Sequence, residues 1–355
     1  MKTLKEAYKD YFTVGAAVAA HWLDEAKDCV KANFNTLTAE NEMKYMGIHN
    51  HEYPKPDFRK LQKGEKPEPP VITNRERFVH PNLELDTAPA DKICAFAREN
   101  GILIRGHCLS WHGSYPWGIF EQLTPEELDT NTREHYEFVS KHFPDCYCWD
   151  VVNEAAEDKP DAGILRSRTP YFQKFGEEYL IKLYSLAREY FPNAELCCND
   201  YNEYAPAKRE KILKILDSLM ERRLVDVVGC QCHVNVHMLD KPNSFDNLRR
   251  TYDMYAETGL KIHITELDVN CVDWDNQSEE ITPEAVEKVA KVYSELFKIF
   301  RDYKGVIENV TLWGVSNKHS WLNSFKMKGR VVQNCPLLFD GNYQPTEAYY
   351  RVVEF

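Results

Sequence analysis

Cys146-Tyr-Cys-Trp-Asp-Val-Val152 is a short, mostly apolar stretch that stops abruptly at the polar pair Asn153-Glu154. Residues 125–142 before it and 170–190 after it carry apolar side chains at helical spacing. The same unit recurs along the chain. Short runs rich in Val, Ile, Leu and Cys lie at 12–18, 36–38, 103–109, 195–198, 227–231, 261–265 and 310–313, so that 146–152 is the fourth of eight. Further helical patterns at 90–100, 207–223 and 283–300 fall between them. Strands separated by helices pair in parallel, because a parallel neighbour needs a crossover of a dozen residues or more. Eight such units predict a single (β/α)8 TIM barrel, an α/β fold whose usual size range includes 355 residues. The competing open, doubly wound sheet lacks a G-x-G-x-x-G after its first strand. No repeat, Gly/Ser linker or shift in composition divides residues 1–355. Only 45–82 stands out, with Pro54, Pro56, Pro67, Pro69 and Pro70 among many Lys and Arg, and it reads as a long insertion after strand 2.

Composition narrows the function. The formal net charge is −12, which argues against a nucleic-acid backbone or an anionic membrane as partner. No apolar run approaches the length of a membrane span. The first residues, Met1-Lys-Thr-Leu-Lys-Glu, lack the apolar stretch of a signal peptide, so a cytoplasmic enzyme is expected. The 11 cysteines are odd in number, and their C-x-C and C-C spacings are not those of a zinc knuckle. Buried free thiols in a reducing compartment fit better than disulfides or a metal site. His107 and His112, five apart, have no acidic partner at metal-ligand spacing. Neither a metal nor a cofactor is expected.

Catalytic groups of such barrels sit at the C-terminal ends of the strands. The fourth run ends in Glu154, and the seventh, Ile262-His-Ile-Thr-Glu266-Leu-Asp268, ends in Glu266. A single strand-end Glu could equally cap a helix or pair with a basic residue. Two of them at one barrel mouth are what glycoside hydrolysis requires, one to protonate the leaving oxygen and one to attack or activate water.

Trp149-Asp-Val-Val-Asn-Glu154 and Ile264-Thr-Glu266-Leu-Asp268 resemble the signatures of glycoside hydrolase family 10, the (β/α)8 endo-β-1,4-xylanases. The resemblance continues, in family order, through Thr38-Ala-Glu40-Asn41-Glu-Met-Lys44, Arg105-Gly-His107-Cys-Leu-Ser-Trp111-His112 and Asn199-Asp-Tyr201-Asn202. It runs on through Gly229-Cys-Gln231-Cys-His233, the stretch from Leu312-Trp313 to Ser320-Trp321, and Pro336-Leu-Leu-Phe-Asp340. It implies a retaining endo-β-1,4-xylanase acting on xylan or xylo-oligosaccharides by double displacement. Glu154 would be the acid/base and Glu266 the nucleophile. Asn153 would bind the sugar 2-hydroxyl, with His233, Asp268 and Gln231 in support. Glu40, Asn41, Lys44, His107 and Trp111 would bind the glycone, Trp313 and Trp321 would wall the sugar ring, and Tyr201 would line the aglycone side. Trp22 and Trp117 receive no role. Two positions depart from the family: Ser114 stands where it usually has Gln, and Asn317 where it commonly has Asp. A hydrolase of another β-glycan or an aryl glycoside, or a non-catalytic carbohydrate-binding homologue, is the alternative reading. The 45–82 insertion is expected to fold over the glycone end as a lid.

Overall fold

A computed structural model describes residues 2–49, 69–272, 281–324, 326–327, 330–331 and 333–355. The eight apolar runs are eight parallel strands: β1 (Thr13–Val18), β2 (Thr36–Ala39), β3 (Leu103–Gly106), β4 (Cys146–Asp150), β5 (Glu195–Asp200), β6 (Val227–Cys230), β7 (Lys261–Asn270) and β8 (Ile307–Leu312). Each pairs with its sequence neighbour, and β8 pairs with both β7 and β1, which closes the barrel. The strands are buried almost throughout, as strands covered on both faces must be.

Among the described residues, each strand is followed by a helix that covers the outside: α1 (Leu23–Asn33), α2 (Ala88–Glu99), α3 (Pro125–His142), α4 (Tyr179–Tyr190), α5 (Pro206–Met220), α6 (Ser244–Glu257), α7 (Pro283–Asp302) and α8 (Glu347–Val353). Helix α3 starts where its sequence instructs. Thr124 caps it by accepting from the Glu127 N–H at 3.2 Å, Glu127 returns the bond to the Thr124 N–H at 2.8 Å, and Pro125 fills the first turn. Helix α7 turns Val289, Tyr293, Leu296, Phe297 and Phe300 onto the barrel, a stripe at helical spacing.

The structure adjusts several sequence expectations. The stretch expected to be one helix over 170–190 is broken at Gly176, whose φ of 65° admits no helical continuation, so Pro170–Phe175 and α4 are separate helices. Strand β3 ends at Gly106, three residues earlier than expected. A Cβ at Gly106 would lie inside the indole of Trp149 on β4, so the close approach of the two strands requires glycine there. Strand β7 runs five residues past Thr265, carrying Glu266 and Asp268 within regular structure. Trp22 is buried and stacks on His319 at 5.1 Å.

Residues 50–68 lie outside the described residues, and with them half of the expected lid. The described end of the insertion packs on α3. Arg75 binds Glu127 at 2.6 Å, Asn82 donates to the Glu134 carbonyl at 3.0 Å, and the Pro70 carbonyl accepts from Gln122 at 2.9 Å.

Candidate active site

The site is assembled on a charged foundation inside the barrel. Arg105 on β3 and Asp150 on β4 are fully buried and form a bidentate pair. Burial acts to raise the Asp150 carboxyl, but the Arg105 charge and the hydrogen bonds from His107 and Arg105 outweigh it and hold it well below the carboxylate range. An ionised carboxylate can only accept, so His107, whose Nδ1 lies 2.8 Å from Asp150, donates from Nδ1 and leaves Nε2 for the barrel mouth.

At the end of β4 the chain turns sharply at Glu154, φ 59°. Each carboxyl oxygen of Glu154 meets a donor. Trp111 Nε1 reaches Oε2 at 2.9 Å, while Gln231 Nε2 and Asn153 Nδ2 reach Oε1 at 3.1 and 3.3 Å. Across the mouth, Glu266 accepts from Asn199 Nδ2 at 2.8 Å, and the same Asn199 amide donates to Asn153 Oδ1 at 2.8 Å. The Thr265 hydroxyl donates to Asn199 Oδ1 at 2.6 Å, which fixes the direction of that amide. The two glutamates are therefore tied through two asparagines, Asn153 beside Glu154 and Asn199 on β5.

His233 follows β6, where Cys232 adopts a left-handed φ of 57°, and its strand residues 233–235 pair with the end of β7. Its ring lies between two carboxylates, with Nδ1 2.9 Å from Asp268 and Nε2 3.4 Å from Glu266. Both nitrogens must donate, so the ring is an imidazolium. Burial disfavours that charge, but Asp268 and Glu266 outweigh it and raise His233 to about 10. Burial likewise acts to raise Glu266, and His107, His233 and Lys44 together bring it below its ordinary value. Trp321 Nε1 donates to the other Asp268 oxygen at 2.7 Å, locking the carboxylate that orients His233.

Glu40, Asn41 and Lys44 follow β2. Lys44 donates to Asn41 at 3.0 Å and lies 4.7 Å from the Trp111 ring centre and 5.9 Å from that of Trp313. Burial pushes Glu40 up, with Lys44 opposing. All these groups converge on a cavity of about 660 Å³ at the C-terminal mouth of the barrel. Every residue expected at the site lines it except Asp268, which stands behind His233.

This arrangement coincides with a sequence match. The profile of glycosyl hydrolase family 10 fits residues 3–355. The chain belongs to glycosyl hydrolase family 10. An endo-1,4-beta-xylanase A of Caldicellulosiruptor saccharolyticus is 38% identical, covering 99% of this chain and 96% of its own. A crystal structure of an endo-1,4-beta-xylanase from Caldicellulosiruptor owensensis superposes with a TM-score of 0.84 at 35% identity, over the whole of both chains. A mutant structure in complex with xylotriose also gives 0.84, at 34% identity and with both chains fully covered.

Against the family 10 pattern, the two departures have different consequences. Ser114 is buried, and its hydroxyl accepts from the Met46 N–H at 3.1 Å, so it secures the segment after Lys44 and does not line the cavity. Asn317 accepts from the Leu337 N–H at 2.8 Å, a structural bond that needs only a side-chain carbonyl oxygen. Sequence reasoning assigned no role to Asn199, Asp150 or Asn202. Asn199 carried the same signal as the glutamates, a polar residue ending an apolar run. Asp150, a charge inside such a run, signalled a buried partner on the adjacent strand.

Proposed function

We infer that this family 10 chain is a retaining endo-β-1,4-xylanase that cleaves xylan or xylo-oligosaccharides, with Glu266 as nucleophile and Glu154 as acid and then base. One observation carries the assignment: Glu154, just beyond β4, and Glu266, within β7, face one cavity and are joined through Asn153 and Asn199. Glu266, ionised and held from two sides by Asn199 and His233, is oriented to attack the anomeric carbon. Glu154 protonates the departing oxygen, then takes a proton from the water that releases the glycosyl-enzyme. Net retention requires the carboxyls to be about 5–5.5 Å apart, without room for a water between nucleophile and sugar. Asn153 offers its amide beside Glu154, where a 2-hydroxyl contact strengthens as the ring gains oxocarbenium character. Lys44 and Trp313 bind and wall the glycone. The names of the relatives and the xylotriose complex of one of them support this substrate class.

The test is the anomer first released from xylotetraose, followed by proton NMR. The β anomer appearing before mutarotation is expected. The α anomer would exclude double displacement, and no reducing sugar at all would exclude hydrolysis. We also propose that the enzyme works in the cytoplasm, a reading supported by its eleven free cysteines.

A further inference from the structure

Glu154 sits in the left-handed region, which a residue with a Cβ occupies only when its surroundings hold it there. Two backbone hydrogen bonds do the holding. The Glu154 N–H donates to the Asn199 carbonyl at 2.9 Å, a bond made by the neighbouring strand. The Glu154 carbonyl accepts from Arg166 Nε at 3.2 Å. Arg166 reaches it because the chain after Glu154 doubles back: Ala156 bridges Leu165, the Glu157 N–H donates to Ile164, and the Arg166 N–H donates to Ala155 at 2.8 Å.

The same guanidinium is committed in two other directions. It donates to the Tyr201 hydroxyl at 3.1 Å and pairs with Asp158 at 3.0 Å. Tyr201 lines the catalytic cavity with Glu154, and its own hydroxyl donates to Asp158 at 2.7 Å. Lys208, buried on α5, braces the assembly from behind. It binds Asp158 at 2.8 Å, Asp200 at 3.0 Å and the Ala156 carbonyl at 2.8 Å, and it lies 4.4 Å from the Tyr201 ring centre. Among the described residues, Arg166 is thus the side chain that hydrogen-bonds both the Glu154 backbone and the Tyr201 hydroxyl.

We propose that Arg166 is a positioning residue for protonation of the leaving group, holding the Glu154 peptide so that its carboxyl is aimed while fixing the Tyr201 wall beside it. It touches neither the substrate nor the reacting atoms. The role needs a planar fork with donors in three directions, which a lysine ammonium on a flexible stem does not reproduce. The proposal rests on Glu154 being the acid, so its test must separate the two.

The experiment compares kcat/KM, which reports formation of the glycosyl-enzyme, on dinitrophenyl xylobioside and on xylotetraose. The variants are Glu154→Ala, Arg166→Ala and Arg166→Lys in the full chain. A departing dinitrophenolate needs no proton and a departing sugar does. Glu154→Ala is expected to lose xylotetraose cleavage while sparing the dinitrophenyl substrate. Arg166→Ala is expected to repeat that pattern at smaller amplitude, roughly 10²-fold against less than about threefold, within the range that general acid catalysis supplies. Added guanidinium is expected to restore part of the xylotetraose rate. Arg166→Lys keeps a cation beside Asp158 and carries the same contrast if the alanine variant does not fold. Equal losses on both substrates in the Arg166 variants, with the contrast intact in Glu154→Ala, would overturn the positioning role. Equal losses in Glu154→Ala would overturn the acid assignment itself.

Discussion

Glu266 shows how a buried carboxylate is kept ready to attack. Desolvation works against its charge, and His107, the His233 ring and Lys44 together reverse the balance. Glu266→Ala is expected to remove nearly all turnover on xylo-oligosaccharides. Azide, small enough to enter the vacated space, is expected to restore glycosylation of activated substrates and to yield an α-glycosyl azide, identifiable by NMR. A β product would contradict the nucleophile assignment. The His233 imidazolium has two measurable consequences. Glu266 must be ionised to act, so replacing His233 by Gln raises the Glu266 pKa and moves the acid limb of kcat/KM to higher pH. For stability the sign follows from His233 itself. Its folded value of about 10 exceeds the ordinary 6.5, so its pairing stabilises the fold fully below pH 6.5 and is lost as pH rises toward 10. Urea titrations across that window are expected to show an alkaline decline that His233→Gln flattens. A variant with an unchanged decline would mean that the ring is not charged in the native state.

Between elements, a fully buried bidentate pair ties Arg105 on β3 to Asp150 on β4. Asp150→Ala would leave a buried guanidinium without its partner, and breaking such a pair costs about 3–5 kcal/mol. It would also free the His107 ring. Denaturant titration is expected to show a loss of that size together with weaker binding of xylo-oligosaccharides, whereas a loss below about 1 kcal/mol would mean that water replaces the carboxylate. This pair also marks how far the sequence could be read. Continuous apolar runs with helices between them spell out a covered parallel sheet, and a polar break at the end of a run points to the barrel mouth. Thus Glu154 and Glu266 were visible. Lateral contacts were not. Nothing in the spacing says that Asp150 faces Arg105, that Asn199 stands between the glutamates, or that Ser114 turns toward Met46 instead of the cavity. The break at Gly176 was hidden because the apolar residues on either side keep a helical rhythm that a left-handed glycine interrupts.

For the whole molecule, the thiols give a direct measure of native packing. Eight of the eleven cysteines are buried, and only Cys29, Cys94 and Cys335 are partly accessible. Titration with an aromatic disulfide is expected to find at most three fast thiols in the native enzyme and eleven in denaturant. Fewer than eleven in denaturant would reveal disulfides. The closure of the sheet has another consequence, which concerns synthesis on the ribosome. Asn309 on β8 donates to Thr13 on β1 across 296 residues, and among the described residues no strand other than β8 covers that side of β1. Translation proceeds at roughly 5–20 residues per second, so for many seconds the nascent chain exposes the unpaired edge of an apolar strand, Thr-Val-Gly-Ala-Ala-Val. Such an edge is a template for pairing with other chains. Nascent chains arrested before Ile307 are expected to stay protease-sensitive and chaperone-bound, and those that expose Leu312 beyond the exit tunnel to become resistant in one step. Resistance acquired gradually, unit by unit, would mean that the open sheet is already stable without its last strand.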